Sequence, residues 1–389
     1  MKKILILDAN QRSALAVTRA FGTSRDLWLI TADSDENTLA GSSKYSREHV
    51  KYPDPVKHPD RFVHFVASFC RDQRVNYIQP VTEITCLLIA KNRERFGTVI
   101  LPLSDFDTIQ RISDKSNLMT LASELGIPIP GTQYYENLGE WDCKSETKFP
   151  YVIKPSRSRF EREGEWISTT VRIVNSFQEL RDFLEQDSYL LFSSFMIQDF
   201  IPGHGAGIFG LYYNGRRVAH FAHQRLREKP PSGGVSVLSE SAASDPTLLA
   251  YADAILEKVD WSGVAMVEFR VSEEGTPYLM EINTRFWGSL QLAIDSGVNF
   301  PVLTYQAFTD KPRTSGEYKI GQKLRWLLGD FDSLYLYLKD KRYTKVQKLR
   351  RCAEFFIPSQ NCKNEIFRLY DIQPALHEFR KYIQDVFVK

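Results

Sequence analysis

Two glutamates, Glu268 and Glu281, sit in otherwise apolar runs of strand character on either side of a turn at Glu274 and Gly275. A two- or four-residue loop centred there sets the two carboxylates directly opposite one another. Like charges on paired strands repel, their β-carbons lying only about 4.5–5.5 Å apart, unless something positive stands between them. Side chains alternate along a strand, so Asn283 shares the face of Glu281, and so does Arg285 if the strand continues. Two carboxylates and a carboxamide offer hard oxygen ligands that suit magnesium rather than zinc, and a nearby arginine suits phosphate. The alternative is an exposed hairpin with solvated charges, and a loop of odd length would remove the opposition.

Lysines supply the complementary half of an anion site. Lys154 ends the apolar run YVIKP, where its charge must either snorkel outward or meet an anion. Lys115 opens a helix, where the positive end of the dipole disfavours a cation unless an anion is also present. His223, Arg225 and Arg227 fall on one face of a strand by alternation, and Gly233 and Gly234 follow in a turn that can bring backbone N–H groups to an anion. A carboxylate substrate or its acyl phosphate fits that face; a solvated edge strand is the alternative.

The elements that position these groups are legible in outline. Residues 4–7, 27–31, 77–81 and 98–101 read as strands, and 12–21, 60–71 and 85–96 as helices, the alternation of a parallel sheet with crossover helices. The first turn, residues 8–13, has no glycine, which excludes an NAD or FAD fingerprint there. From residue 113 the pattern becomes mixed. Residues 113–125, 177–184 and 246–259 read as helices, the first with Ser113 as its cap, and 152–154 and 195–201 as strands. Asn214-Gly215 joins 207–213 to 216–225 in a hairpin, and 263–271 with 277–283 forms the hairpin of the acid pair. The fold class is α/β and α+β, with 1–112 a Rossmann-like domain, 113–310 a second domain and 311–389 a basic helical extension.

The chain has 389 residues, 43% of them hydrophobic and 25% charged, enough for more than one core and unlike a disordered or fibrous chain. A net charge of +2 excludes a wholly basic nucleic-acid coat, yet residues 311–389 alone hold 17 basic and 9 acidic side chains. That basic segment, with Lys341, Arg342, Lys345 and Lys348, either borders a site for an anionic substrate or is a solvated helical face. Its stretch 324–342 is apolar at helical spacing and reads as a cap packed on the body. Cys70, Cys86, Cys143, Cys352 and Cys362 show no CxxC spacing, so the expectation is a reducing cytoplasm, and no run approaches the length of a membrane span.

In order and spacing, SDKSNLMTLASELGIPIP (113–130), YVIKP (151–155), QDFIPGHG (198–205), HQRLREKPPSGG (223–234), VEFR (267–270) and EINTRFWGS (281–289) resemble the ATP-grasp superfamily. The nearer resemblance is to its carboxylate–amine ligases and the large subunit of carbamoyl-phosphate synthase. It implies a two-lobed ATP-grasp fold over 113–310, with 120–200 as a lid. Lys115 and Lys154 would contact ATP phosphates, and Gln198, Asp199, Phe200 and Ile201 would form the hinge that reads adenine. Glu268, Glu281 and Asn283 would hold Mg²⁺, which Mn²⁺ can replace. Arg285 would act on the transferring phosphoryl group or the acyl phosphate, with Arg225 beside it.

The function implied is an ATP-dependent ligase that activates a carboxylate as an acyl phosphate and joins it to an amine. Thiol or carbamate-forming acceptors, or a non-catalytic ATP-binding regulator, are the alternatives. Its partners would be small molecules, with no nucleic acid, and a homo-oligomer is compatible with it. Two positions depart from the family. The loop 156–165 has one glycine, Gly164, leaving Arg157, Arg159 and Arg162 to grip phosphate, and Gly205, beside His204, stands where related ligases carry the carboxylate for the ribose.

Overall fold

The structure is a computed structural model that describes residues 1–141, 149–157, 159–162, 165–231, 233–310, 312–357 and 359–387, so Cys143, Gly164 and Ser232 lie outside the described residues. Its opening sheet is parallel, in the order β3-β2-β1-β4, from β1 (Lys2–Ile6), β2 (Leu27–Asp33), β3 (Glu48–Lys51) and β4 (Tyr77–Gln79). Ile4, Leu5 and Ile6 are all buried, as expected of a strand covered on both faces by crossover helices. Those helices are α1 (Arg12–Gly22), α2 (Pro59–Gln73) and α3 (Glu83–Lys91). Asp8 takes a left-handed φ of 59° after β1, and its Oδ2 accepts from Val81 N, Thr82 N and Thr85 Oγ1 at 3.0, 2.9 and 2.6 Å. The glycine-free turn is thus fastened by a buried carboxylate.

Three details differ from the sequence reading. The polar edge strand β3 carries no alternation and was not expected. The helix expected over 85–96 starts at Glu83, with Thr82 as its cap, and gives way to a 3₁₀ turn, Arg93–Phe96. Residues 98–101 contribute only a bridge from Ile100 to Tyr77.

Two short helices follow, α4 (Phe106–Ser113) and α5 (Lys115–Glu124). Ser113 ends the first rather than capping the second; the cap is Asp114, whose Oδ1 accepts from Ser116 N and Asn117 N at 3.1 Å. Beyond them an antiparallel sheet runs β5-β10-β6-β9 from β5 (Thr132–Tyr135), β6 (Tyr151–Pro155), β9 (Arg172–Val174) and β10 (Phe195–Asp199), with a hairpin of β7 (Arg159–Arg162) and β8 (Glu165–Ser168) beside it. Helix α6 (Phe177–Gln186) closes over this sheet, and Ile153, Leu180, Leu184, Phe195 and Ile197 form a core of their own.

The largest sheet runs β15-β14-β11-β12-β13-β16-β17. Its strands are β11 (Gly203–Tyr213), β12 (Arg216–Lys229), β13 (Val235–Ala242), β14 (Gly263–Ser272), β15 (Pro277–Asn283), β16 (Lys323–Arg325) and β17 (Cys362–Asn364). Asn214 and Gly215 join β11 to β12 with φ of 49° and 70°, the two left-handed residues that such a hairpin requires. Helices α7 (Pro246–Lys258), α8 (Leu290–Ser296) and α9 (Phe300–Thr309) cover the sheet. A shared core joins Ile4, Val17 and Phe21 of the opening region to Phe209, Phe221, Trp287 and Phe300.

The C-terminal segment carries α10 (Leu327–Lys339), α11 (Lys345–Phe356) and α12 (Gln373–Phe387); of the stretch 324–342 only 327–339 is helical, and Leu324 and Arg325 belong to β16 instead. It also extends the large sheet: β16 pairs with β13, and β17 with β16. Wholly buried Asp330 fastens it, receiving Arg325 Nε at 2.7 Å, Arg351 Nη2 at 2.7 Å and Arg227 Nη1 at 3.2 Å.

Candidate functional site

The acid pair is opposed as its spacing predicts, by a different route. Between β14 and β15 Ser272 N–H donates to Thr276 O at 2.9 Å and Val271 pairs with Pro277, so the turn they close, 273–275 with Gly275 at φ 86°, has three residues, and an odd turn alone misaligns the glutamates. A bulge between Glu268 and Phe269 restores them: Phe269 pairs with Leu279 but Glu268 pairs with Glu281, so Met280 is the extra residue. Met280 Sδ then lies 3.4 Å from Lys154 Nζ.

Around the two carboxylates the site assembles from five elements, β6, β12, β14, β15 and α5. Asn283 Nδ2 donates to Glu268 Oε1 at 3.0 Å and to Glu281 Oε1 at 3.3 Å. Lys115 Nζ, at the first turn of α5, stands 3.4 Å from Glu281 Oε2, and Arg225 Nη2, on β12, 3.2 Å from Glu268 Oε2. Lys115 is only 4% exposed, and its backbone N–H donates to Ser156 O at 2.7 Å, tying α5 to the end of β6. Burial raises the proton affinity of both glutamates. Lys115 and Lys154 nevertheless hold Glu281 below its ordinary value, while Glu268, with the charge of Glu281 beside it, stays above. Lys154 is pushed down to about 8, chiefly by burial, with Glu281 opposing.

Gln198 and Asp199 end β10, and Phe200 and Ile201 lead into β11. Gln198 Nε2 donates to Thr132 Oγ1 at 3.0 Å, while its Oε1 is buried without a partner. Ile201 O is taken by Arg270 Nε at 3.1 Å, which gives the arginine of VEFR a positioning role that no spacing revealed. Arg285 follows β15, and its Nη1 donates to Phe286 O at 2.9 Å.

The face expected of His223, Arg225 and Arg227 does not exist. Two irregularities in β12, on either side of Arg227, break the alternation. His223 is stacked on Phe209 at 4.5 Å, its Nε2 lies 2.9 Å from Ser289 Oγ, and burial drives it down to about 3, so it is neutral. Arg227 turns to Asp330, leaving Arg225 alone at the acid pair. Gly233 N–H is spent on Pro230 O at 3.2 Å rather than offered to an anion. The three arginines of the loop 156–165 also part: Arg157 Nε pairs with Asp114 at 3.2 Å, Arg162 lies over the Phe192 ring at 3.5 Å, and Arg159 faces the cleft.

That cleft has a volume of about 1650 Å³. Glu281, Asn283 and Arg285 line it, with Asn10–Ser13 from the opening region, Arg159 of β7, Ser168 of β8 and the adjoining Thr169, and a wall from the C-terminal segment. Lys341, Arg342, Lys345 and Lys348 are not on that wall. It is built instead from Trp326, Phe331, Tyr335, Glu378 and Tyr382, 37 to 93 residues beyond the last motif, where no local pattern signals them. No group of three or more His, Cys, Asp or Glu side chains suited to a metal occurs among the described residues, so the acid pair and Asn283 form a two-carboxylate set.

Residues 191–328 match the family model described as an ATP-grasp in the biosynthetic pathway with Ter operon. The same topology recurs in an L-amino acid ligase from Bacillus licheniformis, 17% identical, with a TM-score of 0.64 over 83% of this chain and 78% of that one. The chain has the ATP-grasp fold. This fold is shared with biotin carboxylase from Campylobacter jejuni in its beta-gamma-ATP complex, at 15% identity and a TM-score of 0.64 over 83% and 74% of the two chains. It is also shared with the biotin carboxylase domain of the Hydrogenobacter thermophilus 2-oxoglutarate carboxylase, crystallised with MgADP and bicarbonate, at 13% identity and a TM-score of 0.59 over 83% and 73%. No curated protein is similar to the chain in sequence. Within the ATP-grasp fold the acid hairpin is the edge of the large sheet, and among the described residues no helix is long and apolar enough to cross a membrane.

Proposed function

We propose that the protein is an ATP- and Mg²⁺-dependent ligase that phosphorylates a substrate carboxylate and couples the acyl phosphate to an amine, releasing ADP and phosphate. The observation that carries this is the opposed pair Glu268 and Glu281, bridged by Asn283, with Lys115 and Lys154 acting on Glu281 and Arg225 on Glu268, and with Glu281, Asn283 and Arg285 opening onto the cleft.

The donor set fits magnesium. Two carboxylates face each other with only an amide N–H₂ between them, and turning that carboxamide over presents Oδ1, a third hard oxygen ligand. When bound, the ion neutralises phosphate oxygens and orients the transferring group. Lys115 and Lys154 hold the phosphates, the hinge 198–201 takes the adenine, and Arg285 stabilises charge on the phosphoryl group and then on the acyl phosphate. The substrate carboxylate attacks the γ-phosphorus and ADP leaves. The amine nitrogen then attacks the acyl carbon, the C–N bond forms, phosphate leaves and the nitrogen loses a proton. The lid lobe, with its separate core, excludes water from the acyl phosphate.

A second reading keeps the activation but changes the acceptor to a carbamate-forming one, in view of the bicarbonate bound in a structure of the same fold. Product analysis separates them: ADP release stimulated by amines, with amide detected by mass spectrometry, supports the first reading, and release stimulated only by bicarbonate or thiols replaces it. Glu281→Ala is expected to lose ADP release and Mg²⁺-dependent nucleotide binding together; unchanged values for both rule out the site.

A further inference from the structure

We propose that Glu378, on the cleft face of α12, receives the ammonium group of the amine acceptor, whose apolar or aromatic body lies against Phe331, Tyr335 and Tyr382. The assignment rests on the amide-forming reading above. Positions 378, 382 and 385 share one face of α12, and 328, 331 and 335 one face of α10, and all six line the cleft. Phe331 and Tyr335 remain 48% and 52% exposed, aromatic surface left open at the wall of a cavity far larger than its acid pair requires.

The charges on this wall are unevenly satisfied. Asp332 is held by an ion pair with Lys229 and by the Tyr382 hydroxyl. Glu378 differs. Its Oε1 accepts from Trp326 Nε1 at 2.6 Å, and its Oε2 has no protein partner among the described residues. Arg12, the cation whose charge acts on it, is committed to an ion pair with Glu365 and lies over the Trp326 ring at 4.0 Å. Burial therefore pushes Glu378 up to about 7, Glu365 adding to the rise against Trp326 and Arg12. A half-buried carboxylate supplied with a donor but no cation is suited to a ligand that brings the cation with it.

The carboxylate is also tied to the reacting end of the cleft. The Trp326 ring lies so close over Gly329 that an added β-carbon would stand 2.2 Å from it, and Arg12 Nη2 would stand 3.0 Å from a β-carbon on Gly288. Gly288 belongs to the loop that carries Arg285. Arg12 thus spans from that loop to the indole that orients Glu378. Lys381, the next turn along α12, also lines the wall, so an α-amino acid finds a partner there for its carboxylate.

The test is calorimetric titration of the full-length protein, with ADP and Mg²⁺ present, using L-phenylalanine and 3-phenylpropionate, which differ in the ammonium group. Glu378→Gln keeps the shape and the Trp326 hydrogen bond; it is expected to weaken L-phenylalanine about tenfold and to leave 3-phenylpropionate unchanged or tighter. Glu378→Asp should restore part of the loss, and the KM of the amine should rise with the Kd while the KM of ATP stays. Trp326→Phe, which removes the N–H donor, is expected to weaken L-phenylalanine by less, and it carries the test if thermal unfolding shows Glu378→Gln to be misfolded. Equal affinity for L-phenylalanine in wild type, Glu378→Gln and Trp326→Phe, with amide formation intact, overturns this assignment alone. Failure of every amine to yield an amide overturns the amide reading and this assignment with it.

Discussion

Lys154→Met is expected to stabilise the nucleotide-free protein while destroying its capacity to hold nucleotide. The lysine is 8% exposed, and burial brings its ammonium from 10.5 down to about 8, Glu281 partly offsetting the loss and Lys115 adding to it. That gap of about 2.5 pKa units corresponds to about 3 kcal/mol of differential interaction. The sign follows from linkage. Between pH 8 and 10.5 the unfolded chain keeps a proton that the folded chain has released, so stability rises with pH across that window. Below pH 8 both states are charged and the whole cost of burying the ammonium is present. Methionine removes the charge at similar volume and retains the contact with Met280. Denaturant unfolding should therefore show the variant about 2–3 kcal/mol more stable than wild type at pH 7, with the difference vanishing near pH 10.5. ADP and ATP affinity should fall by tenfold or more, since a charge-assisted bond to phosphate is lost. A variant less stable than wild type at pH 7, or a difference independent of pH, refutes the reasoning.

Other consequences follow from the same structure. Phosphate beside Lys154 restores its charge, so ADP binding at pH 8 should take up a fraction of a proton, seen as a binding enthalpy that depends on buffer ionisation heat and is absent in Lys154→Met. Asp330→Asn leaves Arg227, Arg325 and Arg351 buried around a neutral amide and should destabilise the fold by about 3–5 kcal/mol in denaturant unfolding. Gly329→Ala drives a methyl group into the Trp326 ring; a raised KM for the amine with an unchanged KM for ATP is expected in steady-state kinetics.

The opposed glutamates were legible because a strand period of two is rigid and the apolar residues on both sides fix the faces. The loop was not, since a three-residue turn with a bulge at Met280 and an even turn without one give the same opposition at Glu268. Bulges work the other way in β12, where irregularities around Arg227 separate His223, Arg225 and Arg227, which strict alternation had gathered. Asn214-Gly215 was readable because two successive positive φ angles leave few alternatives. Strands β3, β16 and β17 were not, being short and polar, and formed only because a distant partner supplies the ladder. The cleft wall from α10 and α12 escaped for the same reason: its residues meet the acid hairpin in space and have no periodic link to it in sequence.

The pairing of β16 with β13 bears on how the chain is made. Val235–Ala242 has its inner neighbour, β12, as soon as that hairpin is synthesised, but its outer rim of N–H and C=O groups stays open until residues 323–325 arrive. For about eighty residues of synthesis the nascent sheet therefore ends in an uncovered edge, the feature through which partly folded chains stick to one another. A ribosome stalled before residue 323 holds a chain that already carries both glutamates and Arg285, lacks the wall assigned to the acceptor, and is open to association along β13.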